Sequence, residues 1–187
     1  MNEYSTRNTN AIKDTEIRVR DTIFCADGCR MALKVDINLK TIQNNNSYRN
    51  SDAGTFSFSI TKIRTDSRGT PKLFTKVEKE IKIDSKSIEF LDNNKITIKK
   101  EVFDEDTNQN YCFDMELEES SRRSSKNMTN DIDDKRKIEE ENETVTAFLV
   151  PRGNINGEKF SKDAEGTLTI TYNKQDIAYK GSILFGE

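Results

Sequence analysis

Met31–Leu39 reads M-A-L-K-V-D-I-N-L, with apolar residues at every odd position and small, charged or polar residues at every even position. Side chains alternate between the two faces of a β-strand, so this stretch would put one apolar face on a core and one polar face in water. A helix would spread the same residues around its circumference. The pattern therefore predicts a strand that is covered on one side.

A second alternating stretch precedes the first one. Glu16–Cys25 carries its apolar residues at odd positions, interrupted by Asp21, and Ala26–Gly28 separates it from Cys29–Leu39. A three-residue loop with Gly in the last position is a common hairpin closure, because Gly adopts the left-handed conformation at little cost. We therefore predict that the two stretches pair as an antiparallel hairpin.

Similar short patterns follow along the chain, separated by polar turns. Many short strands at regular spacing indicate an all-β fold, and we predict an antiparallel β-sandwich that is jelly-roll-like, with an up-and-down or OB-like barrel as the alternative. A helix stays open for Lys76–Ile83, where apolar residues are spaced by four. The further strands are predicted at Phe56–Arg64, Leu73–Asp84, Ser87–Leu91, Lys95–Phe103, Tyr111–Leu117, Thr144–Val150, Leu168–Tyr172 and Ile177–Phe185.

Two polar segments suggest how the chain is divided. Residues 1–14 have the composition of a flexible N-terminal arm, and residues 15–187 suit a single β domain. Residues 118–142 are highly charged, bury too little apolar surface to offset their ordering entropy, and are too long for a loop inside a compact domain. We interpret them as a charged insertion at the sheet margin, with a short helix over Asp131–Glu141.

Composition limits the classes of partner. Hydrophobic residues make up 33% of the chain and charged residues 34%, which is a lean core. With 30 basic and 33 acidic residues, the net charge of −3 gives no overall attraction to nucleic acid or membranes, although a local basic patch is compatible with it. We therefore expect other protein subunits as partners, including further copies of this chain. The N-terminus lacks an apolar signal region, so we expect a cytoplasmic or virion location.

Catalytic residue types are sparse. The chain has no His, which excludes Ser-His and Cys-His hydrolases and removes a common zinc ligand. Its three cysteines, Cys25, Cys29 and Cys112, do not suit a secreted disulfide scaffold. Cys25 and Cys29 bracket the predicted hairpin turn, where we interpret them as small buried side chains, with a redox-labile pair or a metal pair as alternatives. We predict no cofactor and no metal.

One loop resembles a calcium-binding pattern in its spacing. Asp104–Asn110 reads D-E-D-T-N-Q-N, which places oxygen ligands two residues apart. However, Gln109 stands where an EF-hand needs Gly, and Met115 stands where it needs Glu. We interpret the stretch as a solvated hairpin loop, with a weak cation site as the alternative.

The charge blocks of the predicted insertion are the candidate partner-docking site. Their opposed charges would pair at i,i+4 spacing along a helix. We predict a non-enzymatic structural or interaction subunit of a larger protein assembly, such as a virion or phage-particle component. The alternatives are a single-stranded nucleic-acid-binding β-barrel and, third, a carboxylate-based enzyme such as a glycosidase. The candidate docking residues are Arg122, Arg123, Lys135, Arg136, Lys137, Glu139 and Glu140.

Overall fold

The chain forms a single antiparallel sheet, and none of its described residues is helical. This computed structural model describes residues 3–44, 47–50, 54–84, 86–133 and 136–182. In those ranges no helix is long and apolar enough to span a membrane. The strands are β1 (Glu3–Phe24), β2 (Arg30–Asn44), β3 (Ser47–Asn50), β4 (Thr55–Thr65), β5 (Pro71–Lys82), β6 (Ile88–Leu91), β7 (Lys95–Asp104), β8 (Gln109–Asp133), β9 (Arg136–Ile155), β10 (Glu158–Lys159) and β11 (Glu165–Ser182).

The strand order is that of two meanders, β1 to β5 and β6 to β11, which are joined by the pairing of β1 with β11. It runs β5-β4-β2-β1-β11-β9-β8-β7-β6, with β3 paired to β2 and β10 paired to β9. The all-β antiparallel class is therefore confirmed. Within that class, the connectivity matches the up-and-down alternative, because the described strands contain no Greek-key crossover of the jelly-roll type. The hydrogen-bonded ladder is not closed, since its path ends at β5 on one side and at β6 on the other.

The sheet folds over so that its two halves pack face to face. Phe56 and Phe58 of β4 meet Tyr111 and Phe113 of β8, with ring centroids 5.0 Å apart for Phe56 and Phe113 and 4.9 Å apart for Phe58 and Phe113. These tilted and edge-on contacts are the arrangements that aromatic rings prefer. One continuous sheet thus supplies both layers of the two-layer core that a sandwich requires.

The predicted hairpin is confirmed. Phe24 lies opposite Arg30 in the β1–β2 register, and the pairing continues along both strands. The Cys25 amide donates a 2.8 Å hydrogen bond to the Cys29 carbonyl, and Gly28 adopts the expected left-handed conformation, with φ of +86°. The alternating apolar residues of both strands are buried, which places them on the same face of the sheet.

The flexible arm predicted for residues 1–14 is wrong from Glu3 onward. These residues continue β1, which pairs with β11 from Glu3 opposite Ser182 to Arg20 opposite Glu165. Composition indicated disorder because the segment has few apolar residues. A neighbouring strand nevertheless satisfies its backbone groups without any need for an apolar core.

The helix predicted over Asp131–Glu141 is also wrong. The described residues of this segment continue β8 and β9, which form a long hairpin with Asp133 opposite Arg136. The register places Asp133 opposite Arg136, whereas Glu139 and Glu140 lie opposite Asn130 and Thr129. Residues 118–142 therefore extend the sheet rather than interrupt it. The Lys76–Ile83 region lies largely in β5, as the strand interpretation predicted. The division of the chain into domains stays a prediction.

Candidate interaction surface

A groove runs along the outer face of the sheet over β2, β4 and β5. It forms because serines of β4 alternate with buried residues and lie between long charged side chains of the neighbouring strands. The register aligns Lys34, Ser59 and Glu78 in one row across the three strands. We call this feature the outer-face groove; its volume is about 370 Å³ and it is lined by Lys34, Asp36, Ser57, Phe58, Ser59, Glu78, Lys79 and Glu80.

The two walls of the outer-face groove differ in charge. On the β2 wall, the Arg20 guanidinium donates a 2.8 Å hydrogen bond to Asp36, which leaves the Lys34 ammonium as the net charge of that wall. The β5 wall carries Glu78 and Glu80, with Lys76 3.7 Å from Glu78. A bound chain would thus meet a cation on one side and carboxylates on the other.

Beyond the groove, toward the β1–β2 and β4–β5 turns, the same face becomes apolar and basic. Phe24 of β1, Arg30 of β2, Ile63 of β4 and Leu73 of β5 occupy one lateral row, because each is the register partner of the next. Phe24 is 78% exposed and Leu73 62% exposed. Lys62, Arg64 and Lys72 alternate with the residues of this row, so their side chains lie on the opposite face of the same strands. We call the two faces of this end of the sheet together the basic apolar patch, defined as Phe24, Arg30, Lys62, Ile63, Arg64, Arg68, Lys72, Leu73 and Phe74.

A β-bulge contributes one more exposed ring to the basic apolar patch. Lys62 pairs with Thr75 and Ile63 pairs with Leu73, so Phe74 is the extra residue of β5. Phe74 is 57% exposed, and the Arg64 guanidinium lies 4.7 Å from its ring centroid. Bulges redirect side chains at sheet edges, and this one sets a cation–π contact beside the edge strand β5.

The charge of this region opposes that of the whole chain. Residues 24–30 and 62–74 contain five cations and two carboxylates, a net charge of +3, and the remainder of the chain therefore carries −6. Both carboxylates are used in turns. Asp66 accepts 2.9 Å hydrogen bonds from the amides of Arg68 and Thr70, and the amide of Cys29 lowers the pKa of Asp27. A local basic patch thus exists within a near-neutral protein.

Two of the predicted docking residues have described side chains. Both Arg122 and Arg123 follow a bulge at Ser120, where β8 leaves its pairing with β7. Glu119 accepts two hydrogen bonds from Arg122, at 2.8 and 2.9 Å, and these raise the Arg122 pKa. The Arg123 guanidinium lies 5.9 Å from the Phe148 ring centroid. Both side chains are exposed and both have intramolecular contacts.

The other predicted docking residues are placed by backbone alone. Arg136, Lys137, Glu139 and Glu140 lie in β9, between β8 and β11, and nothing is described of their side chains. Lys135 lies outside the described residues. The docking role of this set therefore stays a prediction.

Cys25 and Cys29 are buried free thiols that face each other across the hairpin end. Burial raises the pKa of the Cys25 thiol, which keeps it protonated and poorly reactive. Among the described residues, no three Cys, Asp or Glu side chains are grouped to hold a metal ion. The arrangement therefore agrees with the interpretation of small buried side chains.

The Asp104–Asn110 loop closes the β7–β8 hairpin. Asp104 is buried and accepts hydrogen bonds from the amide and hydroxyl of Thr107, and Lys79 lies 3.1 Å away. The Thr107 hydroxyl and the Lys79 ammonium lower the Asp104 pKa. The remaining oxygen-bearing residues of the pattern are exposed and Asn108 adopts a left-handed turn conformation. Because Asp104 is buried against Thr107 and Lys79 while the other residues of the pattern are exposed, we interpret the loop as a structural turn.

Sequence reasoning did not predict the basic apolar patch. One signal was available, since Phe24 is at an even position of β1, where the alternation places residues on the solvent face. A second signal was the adjacent Leu73 and Phe74, flanked by lysines. Their proximity to Phe24 depends on the register of four strands, which composition does not reveal.

Comparison with known proteins adds little. No protein-family model and no curated protein matches the chain. Among solved structures, it is similar to a protein from Nitrosomonas europaea provisionally named AttH, with 9% sequence identity and a TM-score of 0.29. That match covers 92% of this chain but 53% of the other, so the chain spans about half the length of the solved protein.

Proposed function

We propose that this chain is a non-enzymatic interaction subunit of a larger protein assembly. The observation that carries this proposal is the basic apolar patch, where Phe24, Leu73 and Phe74 are all more than half exposed on one region of the sheet. Large apolar side chains grouped on a surface are a feature of interaction sites. Aromatic residues and arginines together are typical of the residues that dominate binding energy.

The packed interior of the sheet and the pKa values of its carboxyl groups favour a binding role over catalysis. Aromatic rings of β4 and β8 fill the space between the two halves, at centroid separations of about 5 to 6 Å. Among the described residues, hydrogen-bond donors lower the pKa values of three carboxyl groups, Asp27, Asp84 and Asp104. A glycosidase acid would need its pKa raised, so these three carboxylates suit structural roles.

The test is the native mass of the protein isolated from its source, measured by light scattering. We expect a mass well above the 21.5 kDa of one chain. Leu73→Ser/Phe74→Ser should reduce incorporation into that assembly, and Arg122→Ser/Arg123→Ser tests the predicted docking residues of β8 in parallel. Phe90→Ser/Leu91→Ser is the matched control, because it removes an exposed Phe–Leu pair from β6. A monomer in the source would overturn the proposal.

A second candidate is binding of single-stranded nucleic acid. The exposed rings of Phe24 and Phe74 and the surrounding cations favour it, because bases stack on aromatic rings while phosphates bind lysine and arginine. Titration of oligothymidylate with increasing salt discriminates the two functions. Phosphate contacts would give an affinity that falls steeply with salt.

A further inference from the structure

We infer that the basic apolar patch binds an acidic segment of a partner protein that also carries apolar side chains. This inference rests on the proposed function and specifies the chemistry of the partner. The patch combines two features that a single segment must satisfy together. One is a cluster of cations, and the other is a row of exposed apolar side chains.

The cations of the patch indicate that the partner segment is negatively charged. Residues 24–30 and 62–74 carry +3 within a chain of −3, so the region attracts anions while the rest of the molecule repels them. The nearby ion pairs are long: Arg64 lies 3.7 Å from Asp27, and Lys72 lies 3.7 Å from Asp66. Both carboxylates already accept backbone hydrogen bonds in turns. The cations therefore retain most of their capacity to bind an external carboxylate.

The row of exposed apolar side chains indicates that the partner segment also carries apolar side chains. Phe24 and Leu73 lie at the two ends of a row whose middle positions are Arg30 and the half-buried Ile63. An apolar side chain of the partner would pack on this row, while a neighbouring carboxylate meets Arg30 on the same face. A segment that continues around the edge strand β5 would bring further carboxylates to Arg64 and Lys72, which lie on the opposite face of the β4–β5 hairpin. Such a centre of apolar contact with a polar rim is the usual anatomy of a protein interface.

The position of the apolar residues favours a protein over a membrane. The extremity of the β4–β5 hairpin is the polar turn Asp66–Thr70, and Leu73 and Phe74 lie behind it on the strand. Insertion into a bilayer would bury that turn before the apolar side chains could reach the acyl chains. A partner that lies against the side of the hairpin reaches them directly.

The chemistry of the row favours a protein over nucleic acid. Leu73 and Ile63 are aliphatic and offer no ring on which a base could stack. Arg64 lies over the Phe74 ring at 4.7 Å, so part of that ring is already occupied. Aliphatic side chains pack well against Leu or Phe of a protein segment.

The test uses the full chain and a synthetic peptide of alternating acidic and apolar residues, Glu-Leu-Asp-Phe-Glu-Leu-Asp, blocked at both ends. Calorimetry measures affinity, and amide chemical shifts locate the site. We expect shift changes at Phe24, Arg30 and the β4–β5 hairpin, and weaker binding at high salt. Leu73→Ser/Phe74→Ser and Arg68→Glu/Lys72→Glu should each weaken binding by about tenfold.

Matched variants control for general effects on the protein. Phe90→Ser/Leu91→Ser and Lys86→Glu/Lys99→Glu alter exposed residues outside the patch and should leave the affinity unchanged. Thermal melting should show that every variant is folded, because the altered side chains are exposed. A peptide with Lys in place of Glu and Asp should not bind.

Three outcomes would overturn the inference. These are no binding of the acidic peptide, equal binding by the patch variants and wild type, and preferential binding of phosphatidylserine vesicles or oligothymidylate. The proposed function is tested separately by the native mass. If the protein assembles in its source while the patch variants assemble equally well, this inference fails and the proposed function stands. If the protein is a monomer in its source but binds the peptide at the patch, the proposed function fails and this inference stands.

Discussion

The Lys79 ammonium lies 3.1 Å from the Asp104 carboxylate, and this contact joins β5 to the end of β7 where the hydrogen-bonded sheet is open. A second ion pair joins Lys100 of β7 to Asp84, just after β5, at 3.8 Å. In this pair β7 supplies the cation, whereas in the first pair β7 supplies the carboxylate. Asp104 is buried and Lys79 is mostly buried. Ion pairs between side chains therefore connect the two sheet margins where backbone pairing is absent.

We predict energetic coupling between Lys79 and Asp104. Either Lys79→Met or Asp104→Leu alone leaves an uncompensated charge at a poorly solvated position, whereas the double variant leaves none. We expect each single variant to lower the urea midpoint and the double variant to lose less than their sum. The exposed pair Lys76 and Glu78 is the control, and it should show almost no coupling. Additive effects at Lys79 and Asp104 would contradict a bond across the open margin.

A second prediction concerns the loss of folding stability at acidic pH. The folded-state pKa of Asp104 is lowered by the Thr107 hydroxyl and Lys79, so the unfolded chain takes up a proton at higher pH than the folded one. The resulting stability is present above the unfolded value of about 3.9 and is lost as the pH falls through the lower folded value. The stability of Asp104→Asn should therefore fall less steeply in this acidic window than that of wild type.

The sequence predicted what depends on local alternation. Met31–Leu39 and its neighbour specify a hairpin because both carry apolar residues in phase around a Gly-closed turn. The partner of Asp104 could not be predicted, since Lys79 reaches it only when the sheet folds over. The same limit applies to Phe24 and Leu73, whose alignment depends on the register of β1, β2, β4 and β5.

The sequence does not reveal the long polar strands, for a different reason. Glu3–Asp14 and Asp131–Glu141 have little apolar surface, and a segment that can bury little apolar surface is predicted to be disordered or a loop. In the structure, pairing with adjacent strands satisfies their backbone groups. Asp21 interrupts the alternation of β1 in the sequence, and its partner Ser161 lies on a loop far along the chain.

A third prediction concerns that interruption. The Asp21 carboxylate accepts hydrogen bonds from the amide and hydroxyl of Ser161 and from the Thr22 amide, so it fastens the loop before β11 to β1. Asp21→Ala leaves these donors without their acceptor and should cost about 1–3 kcal/mol of unfolding free energy. Trypsin should then cleave faster at the exposed Lys162. Asp106→Ala, in an exposed turn, should change stability by less than about 0.5 kcal/mol.

A fourth prediction compares two glycines with positive φ. A Cβ at Gly153, where φ is +108°, would lie 2.0 Å from the Asp114 carbonyl oxygen on the neighbouring strand. At Gly69, with φ of +79°, no heavy atom lies within 4 Å of a Cβ. Gly69→Ala should therefore cost only the conformational strain of about 1–2 kcal/mol, and Gly153→Ala distinctly more. Equal losses in denaturant unfolding would show that the close approach of β8 and β9 is not needed.

The final prediction concerns the three thiols. Cys112 is exposed, whereas Cys25 and Cys29 are buried, and burial raises the Cys25 pKa and so lowers its thiolate fraction. A chromogenic disulfide reagent should therefore react quickly with one thiol and slowly with two. Cys112→Ser should remove the fast phase, and denaturant should make all remaining thiols fast. Because the Cys25 amide bonds the Cys29 carbonyl directly, the two residues are held opposite each other, and a disulfide would have to form in this paired geometry. If Cys25 and Cys29 reacted as fast as Cys112 in the folded protein, the end of the β1–β2 hairpin would have to open readily, contrary to its burial.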